Sequence, residues 1–251
     1  MIRLDGVEFA YPDGRVALAG VDLAIAAGER VAILGPNGAG KTTLALHLNG
    51  LLQPRAGSVA IAGAPVTRRT VAEVRRRVGM LFQDPDDQLF STTVAGDVAF
   101  GLVNAGIREP ELGRRVAAAL DAVGAADLAP RAPHHLSYGQ KQRVALAGIL
   151  VLEPDVVVLD EPTSMLDPAA RRDLVALLSG LDTTLVVVTH DLPLALQLCT
   201  RVVVLDEGRV VADGTPATVL GDDDLLARHR LELPWGFDRS LLGTEAGRAG
   251  A

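Results

Sequence analysis

The segment RVAILGPNGAGKTTLALHLNGLL, residues 30–52, constrains the fold more than any other stretch. A short apolar run ends at Leu34, a loop with three glycines follows, and a helix-like run begins near Lys41. The G-x-x-x-x-G-K-[ST] spacing of residues 35–42, set between a strand and a helix, lets backbone N–H groups curl around a polyphosphate, and the helix N-terminus adds partial positive charge. Gly35, Pro36, Asn37, Gly38, Ala39, Gly40, Lys41, Thr42 and Thr43 are therefore the expected phosphate contacts. Lys41 offers a compact cation to the β and γ phosphates, and the Thr42 hydroxyl can ligate Mg²⁺.

Further continuous apolar runs occur at VVVLD (156–160), TLVVVTH (184–190) and RVVVLDEGRVV (201–211). Runs of this kind suit strands buried on both faces, as in a parallel sheet covered by helices. VVVLDE ends in two carboxylates, which are costly to place at the end of a buried strand unless something pairs with them. Asp160 is expected to hold Mg²⁺, directly or through water, and Glu161 to polarise an attacking water; such a base contributes about 10²–10⁴-fold in rate.

The first 30 residues alternate more and carry a hairpin signal at Pro12-Asp13-Gly14, so they read as an antiparallel layer. Between about 108 and 152 the pattern turns helical, with Leu112, Val116, Leu120 and Val123 on one face and QKQRVALAGILVL after a break at Pro130 and Pro133. The stretch FQDPDDQLFSTTVAGDVAFG (82–101) follows neither period. After residue 215 the sequence suggests a turn, a short helix and a small packed extension, with Leu231, Leu233, Trp235 and Phe237 able to cover the core or meet a second chain. The last dozen residues read as frayed, and no internal repeat is present.

At 251 residues, one domain with internal subdomains is expected. The net charge of −7 opposes non-specific binding to nucleic acid or to an anionic bilayer, so any phosphate site must be local. Only two lysines, Lys41 and Lys141, stand against 22 arginines, which directs attention to where lysine was kept. The single cysteine, Cys199, fits a reducing compartment and reads as a buried small hydrophobe. His134 and His135 read as loop residues, because adjacent side chains rarely converge on a metal. With no signal-like start and no run of 18 uninterrupted apolar residues, the chain is not expected to cross a membrane by itself.

HLSYGQKQR (135–143) resembles the signature of the ATP-binding cassette (ABC) ATPases, usually LSGGQ and here Leu136, Ser137, Tyr138, Gly139 and Gln140. Tyr11 resembles the residue of that family that stacks on adenine, Gln83 the glutamine of the Q-loop, SMLD (164–167) the D-loop and His190 the switch histidine. The resemblance spans roughly residues 2–215. It implies an α/β P-loop NTPase with a RecA-like core, an N-terminal antiparallel β layer and an inserted α-helical subdomain at about 84–152, followed by an extension over 216–251. It also implies ATP hydrolysis with Mg²⁺, Gln83 ligating the metal and positioning water while His190 contacts the γ-phosphate. Two chains, identical or different, would meet head to tail, so that Ser137, Gly139, Gln140 and Asp167 of one face the ATP of the other. Tyr138 departs from the signature glycine, and its side chain is expected to point away.

FQDPDDQLF followed by DVAFG and Asn104 resembles the energy-coupling factor (ECF) ATPases, which drive uptake of vitamins and transition-metal ions. That resemblance implies a peripheral protein on the cytoplasmic face of the membrane. A transmembrane scaffold subunit would dock at about 83–101, beside a substrate-binding membrane subunit. Of Asp84, Asp86 and Asp87, the last two are expected to pair with arginines of the scaffold. Pro-Asp-Gly after Tyr11 and the C-terminal RLELPW look most like cobalt/nickel-type ATPases. The competing expectations are the ATPase of a binding-protein-dependent importer, a non-transport ABC protein acting on nucleic acid or ribosomes, and a degenerate cassette. The second predicts two cassettes, a coiled coil or a basic surface, and intact Lys41, Asp160, Glu161 and His190 argue against the third.

Overall fold

The computed structural model describes residues 2–242, so the frayed end expected from the sequence lies, from residue 243 on, outside the described residues. β1 (Ile2–Ala10) and β2 (Val16–Ile25) pair antiparallel across Pro12-Asp13-Gly14. β3 (Arg30–Leu34) leaves this layer, and the glycine loop leads from it to α1 (Lys41–Leu48). β4 (Ala56–Ile61) and the short β5 (Ala64–Pro65) return to the first sheet, whose order is β2-β1-β4-β5.

α2 (Val71–Arg77) leads into β6 (Val78–Leu81), and three helices follow: α3 (Val94–Asn104), α4 (Glu111–Ala122) and α5 (Tyr138–Leu150). The chain then alternates β7 (Val156–Asp160), α6 (Pro168–Ser179), β8 (Thr184–Val188), α7 (Leu192–Leu198) and β9 (Arg201–Asp206). It closes with β10 (Arg209–Gly214), α8 (Pro216–Leu220) and α9 (Asp223–Arg228). The second sheet has the order β10-β9-β3-β8-β7-β6, parallel throughout except for β10 on β9. The run RVVVLDEGRVV is thus a hairpin rather than one parallel strand, because Glu207 and Gly208 both take positive φ and reverse the chain.

The valine-rich strands explain the layering. Along β7 and β8, Val156, Val158, Val186 and Val188 face α1 and the antiparallel sheet, while Val157, Leu159, Leu185 and Val187 face α6 and α7. Each buried side chain of this size stabilises the fold by about 1.5–3 kcal/mol relative to exposure. α1 is wedged between the two sheets through Leu44, Ala45 and Leu48, which fixes the position of the loop at its N-terminus.

A third cluster joins α3, α4 and α5 through Val98, Leu102, Val116, Leu120, Val144 and Ala147. The aperiodic stretch at 82–101 contains a 3₁₀ turn, Pro85–Asp87, and most of α3. α3 buries Val94, Val98 and Leu102 yet leaves Phe100 and Val103 47% and 43% exposed. Apolar residues on both sides of one helix erase the 3.6-residue signal. In the extension, Leu231, Leu233 and Phe237 pack on the core, whereas Trp235 is fully exposed.

Candidate active site

The loop from β3 to α1 needs glycine at its ends. A Cβ on Gly35 would lie 2.0 Å from the Leu205 carbonyl oxygen, and one on Gly40 would lie 2.3 Å from that of Ala17. Both residues also have positive φ, at 149° and 104°. The loop is therefore clamped between β9 and β2, with Gly40 as the N-cap of α1.

Lys41 Nζ donates to the Gly35 and Pro36 carbonyls at 2.8 and 3.1 Å. Burial lowers its pKa, while Glu161 and Asp160 pull it back up. One residue on, Thr42 Oγ1 donates to Asp160 Oδ1 at 3.2 Å. Asp160 is buried at the end of β7, and desolvation raises its pKa, helped by Glu161 and opposed by Thr42 and Lys41. A buried carboxylate bonded to a threonine hydroxyl is a hard oxygen pair, suited to Mg²⁺, which binds through one or two carboxylates and substrate phosphates. Among the described residues no group of three His, Cys, Asp or Glu side chains could hold a metal alone, so His134 and His135 gain no third ligand even though their rings lie 4.2 Å apart.

Glu161 takes a positive φ of 47°, uncommon for a residue with a side chain. Its carboxylate is fixed at both oxygens: Thr189 Oγ1 donates to Oε2 at 3.1 Å, and His190 Nδ1 lies 2.8 Å from Oε1. The Thr189 hydroxyl also accepts from the Asp191 N–H at 2.9 Å. Arg171 on α6 holds the Asp191 carboxylate at 3.1 Å, which ties the loop after β8 to the helix that Asp167 caps.

A cavity of about 340 Å³, in the range that takes a small ligand, is lined by Tyr11, Asn37, Lys41, Thr42, Gln83, Glu161 and His190 among others. Tyr11 hydrogen-bonds Thr43 Oγ1 at 2.9 Å, packs edge-on against Phe9, and lies under the Arg15 guanidinium at 4.9 Å. Its ring is thereby fixed in orientation at the cavity, with one face under Arg15. The arrangement can hold a polyphosphate and offer a positioned carboxylate to a water beside it.

Ser137, Gly139, Gln140 and Asp167 lie elsewhere, around a separate cavity of about 370 Å³ at the N-termini of α5 and α6. Ser137 and Gln140 form a reciprocal capping box on α5, and Asp167 caps α6 through the Ala169 and Ala170 N–H groups. Tyr138 donates its hydroxyl to the Gln83 carbonyl of its own chain at 2.6 Å. Burial, with Asp84 and Asp86 nearby, raises its pKa and keeps it a donor. Asp86, expected to meet a partner arginine, already has a partner within the chain: Lys141 Nζ binds both its oxygens at 2.6 and 2.8 Å.

Beyond Gln83 a groove of about 320 Å³ is lined by Phe82, Asp87, Gln88, Phe90, Asp97 and Phe100 among others. Gln88 braces it by accepting from the Phe82 N–H and donating to the Met80 carbonyl. Phe90, 66% exposed, meets Phe100 edge-on. Asp97 is buried; its Oδ1 accepts from the Phe90 and Ser91 N–H groups, and its Oδ2 has no partner.

Sequence reasoning assigns no role to Thr189, Arg15, Gln88, Asp97 or the Arg171–Asp191 pair. For Thr189 the signal in the sequence is its place between a buried strand and His190; for Arg15 it is closeness to Tyr11.

The ABC transporter family profile matches residues 18–164. A putative ABC transporter ATP-binding protein of Streptomyces coelicolor is 59% identical over 237 residues, covering 94% of this chain and 91% of that protein. The energy-coupling factor transporter ATP-binding protein EcfA of Methanothermobacter thermautotrophicus is 47% identical, covering 93% and 77%. Among solved structures, cbiO1 from Clostridium perfringens, part of the ABC transporter complex cbiONQ, is 40% identical with a TM-score of 0.79, covering 93% and 95%. A dimeric ATP-binding cassette in a post-hydrolysis state with ADP and Pi is 30% identical with a TM-score of 0.79, covering 86% and 98%. With the glycine loop, the paired carboxylates at the end of β7 and similarity over more than nine-tenths of its length, the chain belongs to the ABC transporter family of ATPases.

Proposed function

We propose that this chain is the ATP-hydrolysing subunit of an ECF-type importer, one half of a dimer on the cytoplasmic face of the membrane. The observation that carries it is the position of residue 83. The Gln83 side chain lines the ATP cavity, and the chain after it builds a groove with an exposed aromatic pair and a buried carboxylate oxygen without a partner. The groove suits an inserted element that brings apolar surface and one basic side chain. Similarity to the EcfA protein and to cbiO1 supports the ECF assignment. Among the described residues no helix is long and apolar enough to cross a membrane, so the membrane portion would come from partners: a scaffold subunit docking at about 83–101 and a substrate-binding subunit. Cobalt or nickel ions are the cargo suggested by the sequence resemblance around Pro12-Asp13-Gly14 and RLELPW.

In this mechanism Tyr11 stacks on adenine, the loop N–H groups and Lys41 hold the phosphates, and Thr42, Asp160 and Gln83 would hold Mg²⁺, which would supply charge neutralisation to the phosphates. Glu161 takes a proton from the water as its oxygen bonds to the γ-phosphorus and the bond from that phosphorus to the bridging oxygen breaks, releasing ADP and phosphate; the hydrogen bonds of Glu161 to Thr189 and His190 fix its direction. Ser137, Gly139 and Asp167 lie in a separate cavity from Lys41. They complete the site of the facing chain, where ATP supplies the anionic contact that joins the two.

Co-purification from membranes with identification of the bound subunits tests this. Two integral membrane proteins, one scaffold-like and one substrate-binding, are expected. A permease pair with an external binding protein would instead assign the chain to a binding-protein-dependent importer.

A further inference from the structure

Lys41 is buried and Lys141 half-buried, each in contacts at a functional segment, and only Lys41 is used by the reaction. Lys141 is 15% exposed at its side chain, while its partner Asp86 is 60% exposed. The pair joins the first turn of α5 to the 3₁₀ turn after Gln83, residues 55 positions apart in sequence. One helical turn back on the same face of α5, Tyr138 makes the second contact, to the Gln83 main-chain carbonyl.

One contact falls just before the turn Pro85–Asp87, at Gln83, and the other within it, at Asp86. Asp84 caps that turn through the Asp86 N–H at 2.9 Å, so the segment from Gln83 to Asp86 moves as a unit. Asp87 and Gln88, next in sequence, form a wall of the groove. On the other side, Tyr138 is flanked by Ser137 and Gly139, and α5 is pinned further along by Gln142 Nε2 on the Pro162 carbonyl. Gln83 therefore joins two places: the residue lines the ATP cavity, and its carbonyl is bonded to the signature helix.

We propose that Tyr138 and Lys141 are positioning residues: they latch the turn after Gln83 to the signature helix, so that a subunit seated in the groove sets the position of Ser137 and Gly139. This role uses the hydroxyl that a signature glycine lacks, and it gives the departure at position 138 a purpose. A displacement of the wall at Asp87 and Gln88 reaches the first turn of α5 through two directional bonds. Without them the turn and the helix are joined by packing alone, which sets no direction. The inference rests on the importer assignment for the identity of the occupant, but the latch itself is a property of this chain.

The test compares wild type with Tyr138→Phe and Lys141→Met together, which remove one hydroxyl and one charge while keeping the ring and the aliphatic stem. Amide exchange on the purified chain should speed up about tenfold at 83–90 and at 137–141, with β7 and β8 unchanged. The charge swap Asp86→Lys with Lys141→Asp should recover much of the protection that Lys141→Met alone loses. In the complex assembled with its membrane subunits, the double variant should hydrolyse ATP with an unchanged KM while uptake per ATP falls about tenfold. Exchange equal to wild type, failure of the swap to restore it, or a wild-type ratio of uptake to hydrolysis would each overturn the latch. If the wild-type complex drives no uptake, the importer assignment fails, and the exchange results alone decide the latch.

Discussion

Replacing Thr189 by valine isolates what holds the Glu161 carboxylate. The side chain is fully buried, its hydroxyl donates to Glu161 at 3.1 Å and accepts from the Asp191 N–H at 2.9 Å. Valine keeps the shape and deletes both bonds. A hydrogen bond to a charged acceptor is worth about 1.5–3 kcal/mol. If that energy serves to aim the carboxylate at the attacking water, its loss lowers kcat by about 10- to 100-fold. Thr189 does not line the cavity, so KM for ATP should stay within about twofold, the pattern of an interaction felt in the transition state. The orphaned Asp191 N–H costs a further ~1–3 kcal/mol of stability, and about 2–4 °C of Tm is lost per kcal/mol at this chain length. Phosphate release should therefore be measured well below the melting range. Thr189→Ser keeps the hydroxyl and should retain most of the turnover. A Thr189→Val enzyme with wild-type kcat, or one whose KM rises while kcat holds, would refute the positioning argument.

Glu161→Gln should still bind ATP, lose turnover by at least about 10²-fold, and accumulate an ATP-dependent dimer by light scattering; near-normal phosphate release would contradict the role of Glu161. Asp160→Asn should raise the Tm at pH 7, because burial raises the pKa of Asp160 and its ionised form opposes folding. The same sign makes the advantage shrink as pH falls through the raised pKa, and it vanishes below the ordinary carboxylate value, so a Tm difference that grows on acidification would contradict it. Cys199 is buried, with its thiol pushed up to about 12. At pH 8 about one thiol in ten thousand is ionised, so the native chain should resist a disulfide-exchange reagent while the unfolded chain reacts with one equivalent.

How much the sequence disclosed depends on how far each signal reaches along the chain. The loop at 35–42 was readable because strand, glycines, lysine and helix are contiguous, and the carboxylates of VVVLDE because a buried strand ending in charge demands a partner. The helix at 94–104 was not, since it spends apolar residues on two faces: Val98 and Leu102 on the core, Phe100 and Val103 on solvent. Thr189 was invisible because a hydroxyl at a strand end has many uses, and only the closeness of Glu161 selects one.

The aspartates of DPDD show the same limit most sharply. By composition they are equivalent, and only the fold separates them. Asp84 caps its own turn, Asp86 is spent on Lys141, and Asp87 alone among the three lines the groove. A partner's cation that enters the groove therefore meets Asp87 at the wall, while the Asp97 Oδ2, which has no partner, lies buried behind it. Asp97 also holds the Phe90 and Ser91 N–H groups, so its removal would disturb the groove itself. Asp87→Asn is the cleaner probe: it should weaken retention of the membrane subunits in a salt-dependent way, because an exposed ion pair is screened at high ionic strength. Asp86→Asn should leave that retention intact, since its charge is already paired within the chain. Equal loss of retention in the two variants would mean that the three acids act as one diffuse patch, and that the division drawn from their contacts is wrong.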